Sequence, residues 1–117
     1  MSVPVQYVSL VVDTQDVVIL SGQSESQPFQ PKGTTPTKIY MPASFDGTQL
    51  TFLLSSDNGV TYLPYYNVDD VEVIYSVTQG RVYGLATIDL YGVTHMKIVS
   101  DASESADRTL KLVVRGV

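Results

Sequence analysis

The sequence predicts an all-β fold, an antiparallel β-sandwich of jelly-roll type built from roughly eight to ten short strands. Three observations predict it. Runs rich in β-branched and aromatic residues recur along the whole chain, as strands require. Turn signals separate those runs at intervals of about ten residues. No stretch repeats apolar residues at helical spacing for more than a single turn. The chain has 117 residues and no Cys. A single domain of this length buries about two-thirds of the surface of its unfolded chain, so its core has no need of disulfide staples.

Residues 5–12 (VQYVSLVV) predict a first strand. Asp13-Thr14-Gln15-Asp16 predicts a turn, residues 17–20 (VVIL) a second strand, and Ser21-Gly22 its end. Residues 23–30 (QSESQPFQ) alternate weakly around Pro28, which restricts them to a sheet edge. Pro31-Lys32-Gly33 predicts a turn and residues 37–41 a short strand. The turn Phe45-Asp46-Gly47 leads into residues 50–56, where Leu50, Phe52 and Leu54 share the face expected to meet the core. Asp57-Asn58-Gly59 predicts a tight turn, because Asn and Gly tolerate the positive φ it needs.

Residues 61–66 (TYLPYY) are interrupted by Pro64, which implies a kink or an edge. Residues 71–77 place Val71, Val73, Tyr75 and Val77 on one face; Gln79-Gly80 is a turn and residues 81–85 a short strand. Residues 86–91 (ATIDLY) are the one candidate for a helical turn. Residues 92–100 predict a strand with Met96 and Ile98 inward and Lys97 outward. Residues 101–107 (DASESAD) read as a solvated connection; the alternative is that Asp107 and Arg108 pair to pin the last strand. Residues 108–117 close the domain, with Leu110, Leu112 and Val114 alternating against Lys111, Val113 and Arg115. Residues 16–117 therefore read as one sandwich domain, and residues 1–15 as a strand or an arm donated to a neighbour.

Charge and composition exclude several function classes. The formal net charge is −5 and the seven Lys and Arg residues are scattered, which is unlike the basic face a nucleic-acid binder needs. No apolar run approaches the roughly 20 residues of a membrane helix. Residues 1–4 lack the basic start of an export signal, and the chain reads as one made and folded in a cytoplasm.

His95 is the only His and has no nucleophile-elbow sequence near it, so it reads as structural or surface. Asp57-Asn58, Asp69-Asp70 and Glu72 offer hard oxygen ligands, but not at the spacing of an EF-hand loop; turn roles account for them. No catalytic residue, cofactor or metal is expected. The residues singled out for binding are Tyr62, Tyr65 and Tyr66, together with Val5, Tyr7 and Val8 in the apolar N-terminal stretch. Tyr joins an apolar ring to a hydroxyl and so serves protein interfaces and sugar stacking; packing in the core or at a strand edge is the alternative for the three clustered tyrosines.

Four blocks of the chain carry a resemblance. They are Ser21-Gly22-Gln23-Ser24-Glu25-Ser26; Ile39-Tyr40-Met41-Pro42-Ala43-Ser44-Phe45; Leu50-Thr51-Phe52 with Ser56-Asp57-Asn58-Gly59-Val60-Thr61-Tyr62; and Ala106-Asp107-Arg108-Thr109-Leu110-Lys111-Leu112-Val113. In this order and spacing they resemble small virion structural proteins of tailed bacteriophages, over roughly residues 17–115. Residues 91–96 (YGVTHM) depart from the family pattern, which commonly has an aromatic residue, often Trp, before the strand, and residues 1–15 have no counterpart. The resemblance implies a non-enzymatic component of the virion, assembled in the host cytoplasm. The expected role is a capsid decoration or cement protein, a homo-oligomer (dimer or trimer) bound to the major capsid protein or other virion proteins, with no nucleic-acid or membrane partner. The alternative is a tail, neck or fibre component, including a carbohydrate-binding module for host recognition.

Overall fold

The computed structural model describes residues 12–116. It is an antiparallel sandwich. The first sheet runs β1 (Val12–Ile19), β8 (Arg108–Gly116), β2 (Thr34–Tyr40), β6 (Val82–Gly84). The second is built on β3 (Gln49–Ser55), with β7 (His95–Ser100) paired along one edge from Leu50 to Ser55. A strand has only two edges, so β4 (Leu63–Pro64) and β5 (Tyr75–Ser76) share the other, end to end. Residues 24–29 line the outer edge of β7 through bridges Glu25↔Val99 and Phe29↔Met96, the edge role that Pro28 allows. From β1 the chain crosses to residues 24–29, back to β2, over to β3 with β4 and β5, back to β6, over to β7 and back to β8. That winding is a jelly roll.

The strands follow the apolar alternation. In β8, Leu110, Leu112 and Val114 are fully buried while Thr109, Lys111 and Arg115 are exposed. In β7, Met96 and Ile98 are buried and alternate with half-exposed Lys97 and Val99. In β3, Leu50 and Phe52 are buried, and Leu54, third in the row, is only partly covered. Phe52 meets Tyr75 edge to face, with ring centroids 5.6 Å apart. The single helical turn is α1 (Thr87–Leu90), anchored by fully buried Leu90.

Three expectations are corrected. Asp13-Thr14-Gln15-Asp16 is not a turn: β1 is continuous from Val12, each residue paired with β8, and Asp13, Thr14 and Asp16 are exposed at a sheet edge where polar side chains stay solvated. The boundary drawn between residues 15 and 16 thus falls inside β1. Residues 71–77 form a ladder only at Tyr75–Ser76, and Val71 is exposed rather than inward. Pro36 lies within β2, where the register with β8 shifts between Pro36 and Lys38, a bulge that absorbs its missing N–H.

The third correction is the loop at residues 101–107. Asp101, Ser103 and residues 105–107 are solvated as expected, but Glu104 among them is buried, and Asp107 does not pair with Arg108. The Asp107 carboxylate accepts the Ser21 N–H at 2.8 Å. Glu104 is 1% exposed and its carboxylate takes four hydrogen bonds. Oε1 accepts the Asp46 N–H at 2.9 Å and Arg108 Nε–H at 3.1 Å. Oε2 accepts the Gly47 N–H and the Ser100 hydroxyl, each at 3.1 Å. Arg108 also donates to Asp46 Oδ1 at 2.8 Å. Asp101 receives the N–H groups of Thr48 and Gln49. The turn before β3 and the loop before β8 are therefore stitched into one polar knot. Gly47 permits it: a Cβ there would sit inside contact distance of Ser100 Oγ and 2.8 Å from Asp101 Oδ1.

Glu104→Ala strands two backbone donors, a hydroxyl and the Arg108 Nε–H around a buried site, and we expect it to destabilise the domain by about 3 kcal/mol or more, read as a lower urea midpoint by circular dichroism. Gly47→Ala overpacks the same site and is expected to cost about 1–3 kcal/mol by the same measurement.

Candidate interaction surface

The knot lies at the Gln49/Ser100 end of the β3–β7 ladder; the opposite end, at Ser55/His95, is open. Here Leu54, Leu63, Pro64, Tyr65, Tyr91 and Val93 line a groove of about 430 Å³. One wall is β4 with Tyr65, held against β3 by the Tyr65 N–H donating to the Phe52 carbonyl at 3.0 Å. The other wall is residues 89–94, from the end of α1 onward, and three hydrogen bonds fix it. The Tyr75 hydroxyl donates to Asp89 Oδ2 at 2.7 Å and accepts the Ala86 N–H at 3.1 Å. Thr94 Oγ1 donates to the Ser55 carbonyl at 3.0 Å. Burial, then the bond to Asp89, push the Tyr75 hydroxyl up to about 12. Burial raises Tyr65 as well, and the charge of Asp89 adds to it.

Tyr91 is 65% exposed. Beyond it, Gly33, Thr34 and Thr35 frame a smaller recess of about 300 Å³ that shares residues 91–94 with the groove. Apolar exposure concentrates nearby in sequence. Of twelve large apolar side chains left exposed among the described residues, six (Val60, Leu63, Tyr66, Val68, Val71 and Ile74) fall between residues 60 and 74.

The structure separates the residues singled out from sequence. Val5, Tyr7 and Val8, and with them most of the expected arm, lie outside the described residues. Tyr65 packs against the core and forms a groove wall. Tyr66 is half-exposed and bridges to Glu72 at the base of the 67–71 turn. Tyr62 belongs elsewhere: its ring lies under Lys97 Nζ, 4.6 Å from the centroid, on the outer face of the second sheet. The three tyrosines do not form one patch. Leu54, Asp89, Tyr91 and Val93 were not singled out; the signal for Leu54 was its place as the third inward residue of β3, and none in the sequence pointed to the others.

The polar residues weighed for chemistry have structural partners. Asp57 accepts the Ser55 hydroxyl at 2.7 Å and the Thr61 N–H at 2.9 Å, closing the turn in which Asn58 and Gly59 both take positive φ. Asn67 Oδ1 accepts the N–H groups of Asp69 and Val71. Gln30, as its amide is oriented, donates to His95 Nε2 at 3.0 Å. His95 Nδ1 and the Tyr62 hydroxyl are buried beside Gly59 without a hydrogen-bond partner among the described residues. Among the described residues no group of three His, Cys, Asp or Glu side chains is placed to hold a metal ion.

Comparison with protein-family models, with curated proteins and with solved structures finds no match.

Three carboxylates sit below their ordinary range. The Ser55 hydroxyl, then the Thr61 N–H, lower Asp57 to about 2. Arg108 lowers Asp46, and the Thr48 N–H lowers Asp101. A group with a depressed folded pKa contributes stability that is present above its unfolded value, near 4, and lost as pH falls through the folded one. The thermal midpoint is expected to drop between about pH 4 and pH 2, and Asp57→Asn to make that drop shallower when followed by circular dichroism.

Proposed function

We propose that this chain is a non-enzymatic virion structural protein of a tailed bacteriophage, a capsid decoration or cement component that binds the shell through protein–protein contacts. The observation that carries the binding half of this reading is the open end of the sandwich: an apolar groove beside a stretch that leaves six large apolar side chains exposed. The virion half rests on the four sequence blocks that resemble the phage proteins. Jelly rolls serve viral shells and lectins alike, so the fold supports either a shell or a host-recognition role and decides neither. Many copies on a symmetric shell turn individually weak contacts into avidity.

Quantitative mass spectrometry of purified particles tests the reading. Abundance near that of the major capsid protein is the expected result. A handful of copies per particle would move the protein to the tail, neck or a fibre, where the exposed rings of Tyr66 and Tyr91 favour a sugar-stacking role that a glycan array would detect. Absence from particles would overturn the virion reading altogether.

A further inference from the structure

The register of the first sheet gathers cations that are scattered along the sequence. Ile39, Leu110, Leu112 and Val114 turn inward, so their strand neighbours face out. Across the outer face, Asp16 of β1, Lys111 of β8, Tyr40 of β2 and Val82 of β6 stand side by side. The next row is Thr14, Val113, Lys38 and Gly84, and beyond it Val12 pairs with Arg115. Lys38, Lys111 and Arg115 are all exposed. Among the described residues the ion pairs belong to Lys97 and Arg108, so none of these three cations is paired. Asp16 is the one carboxylate that the four strands place on this face. Three cations against one carboxylate leave the face at +2, and the chain's formal net charge of −5 then puts −7 on everything else.

The face is also partly apolar: Tyr40 is 45% exposed, Val82 50% and Val12 66%. Four strands at a spacing of about 4.8 Å make it about 14 Å across, wide enough to seat a turn of another chain. The protein displays a surface of the opposite kind elsewhere. From Ile39 to Gly80 there is no Lys or Arg. Within that stretch, residues 66–74 expose Tyr66, Val68, Val71 and Ile74 beside exposed Asp69 and Asp70 and half-exposed Glu72. Asn67 Oδ1 holds this turn in shape by accepting the N–H groups of Asp69 and Val71, so little ordering is left to a contact. The turn joins β4 to β5 in the second sheet, on the other layer from the basic face, so the two surfaces meet only between molecules.

We propose that the outer face of the first sheet docks the 66–74 stretch of a second copy of this chain. Lys38, Lys111 and Arg115 meet Asp69, Asp70 and Glu72, and the exposed aromatic and aliphatic side chains of the two surfaces pack together. Apolar contact supplies affinity, and charge selects this pairing over face against face or turn against turn, where like charges would meet. None of residues 66–74 lines the groove at the open end, so self-association and the shell contact use different residues and neither depends on the other.

The test is sedimentation velocity of the full chain up to millimolar concentration. The expected result is an oligomer that grows with concentration at low salt and weakens as salt is added. Two double variants separate the surfaces. Lys38→Glu with Lys111→Glu reverses the basic face. Asp69→Lys with Asp70→Asn reverses the turn, and Asn is chosen because Asp70 has a φ of 60°, which Asn tolerates. Each is expected to weaken association at least about tenfold, with the circular dichroism of the wild type, and Arg115→Glu alone to act in the same direction. Each double variant keeps one surface intact, so an equal mixture of the two is expected to form a pair that neither forms alone. A wild type that stays monomeric to millimolar concentration would overturn the proposal. So would an oligomer that salt leaves unchanged, a folded double variant that associates like the wild type, or a mixture that stays monomeric. Copy number in particles tests the virion role separately, whichever way the sedimentation falls.

Discussion

Glu104 is nearly solvent-free, and the groups that hold it come from three separate places in the chain: the 46–47 turn, the end of β7 and the start of β8. A carboxylate in that position is costly unless it is ringed by donors, and here all its hydrogen bonds are made inside the protein. The polar knot therefore works as a geometric condition on the fold. The turn before β3 belongs to the second sheet and β8 is central to the first, so satisfying Glu104 fixes how the two sheets meet at that end. The Gly22 N–H donating to the Glu104 carbonyl, and the Glu104 N–H donating to the Gln23 carbonyl, tie in the connection from β1 as well.

This placement changes what the phage-like blocks mean. Ser21–Ser26, the turn after Met41–Phe45 and Ala106–Val113 converge on the knot. Ser21 is held by Asp107, Asp46 by Arg108 and Ser105, and Gly47 by Glu104. The third block contributes the Asp57 turn at the other end. These residues are what a jelly roll of this size needs to close its loops. They close loops in this fold, whereas the groove at the other end is lined mainly by residues outside those blocks, Leu63, Tyr65, Asp89, Tyr91 and Val93 among them.

What the sequence made legible follows from period-two alternation. Leu110-Leu112-Val114 and Met96-Ile98 stand inward because strict alternation leaves no other face for them. The brief helical turn and the Asn58-Gly59 turn were legible for equally local reasons. The misreadings all concern polar residues whose role is set by distant partners. Asp13–Asp16 looks like a turn because short polar residues prefer turns, yet β8 supplies a ladder for every one of them. Glu104 sits in a run of Ser, Ala and Asp that has no apolar pattern, and only the folded position of Arg108 and the 46–47 turn makes its burial affordable. The tyrosines at 62, 65 and 66 are close in sequence, but Pro64 and the shift from outer face to groove wall separate Tyr62 from the other two.

The two ends of the β3–β7 ladder thus divide the work of the domain. At Gln49 and Ser100, polar atoms saturate one another and the core is sealed. At Ser55 and His95, the inward row Leu50-Phe52-Leu54 runs out of cover: Leu50 and Phe52 are buried and Leu54 is not. Closing that end would take a few large apolar side chains on the 60–74 stretch turned inward, and the chain has them, yet Leu63, Val68 and Ile74 point to solvent. The two-residue ladder of β4 and the Asn67-capped turn hold that stretch away from the core, while Tyr75 and Asp89 brace the opposing wall. Exposed apolar surface held open by specific hydrogen bonds is costly for a free monomer and favourable for one that ends its life bound.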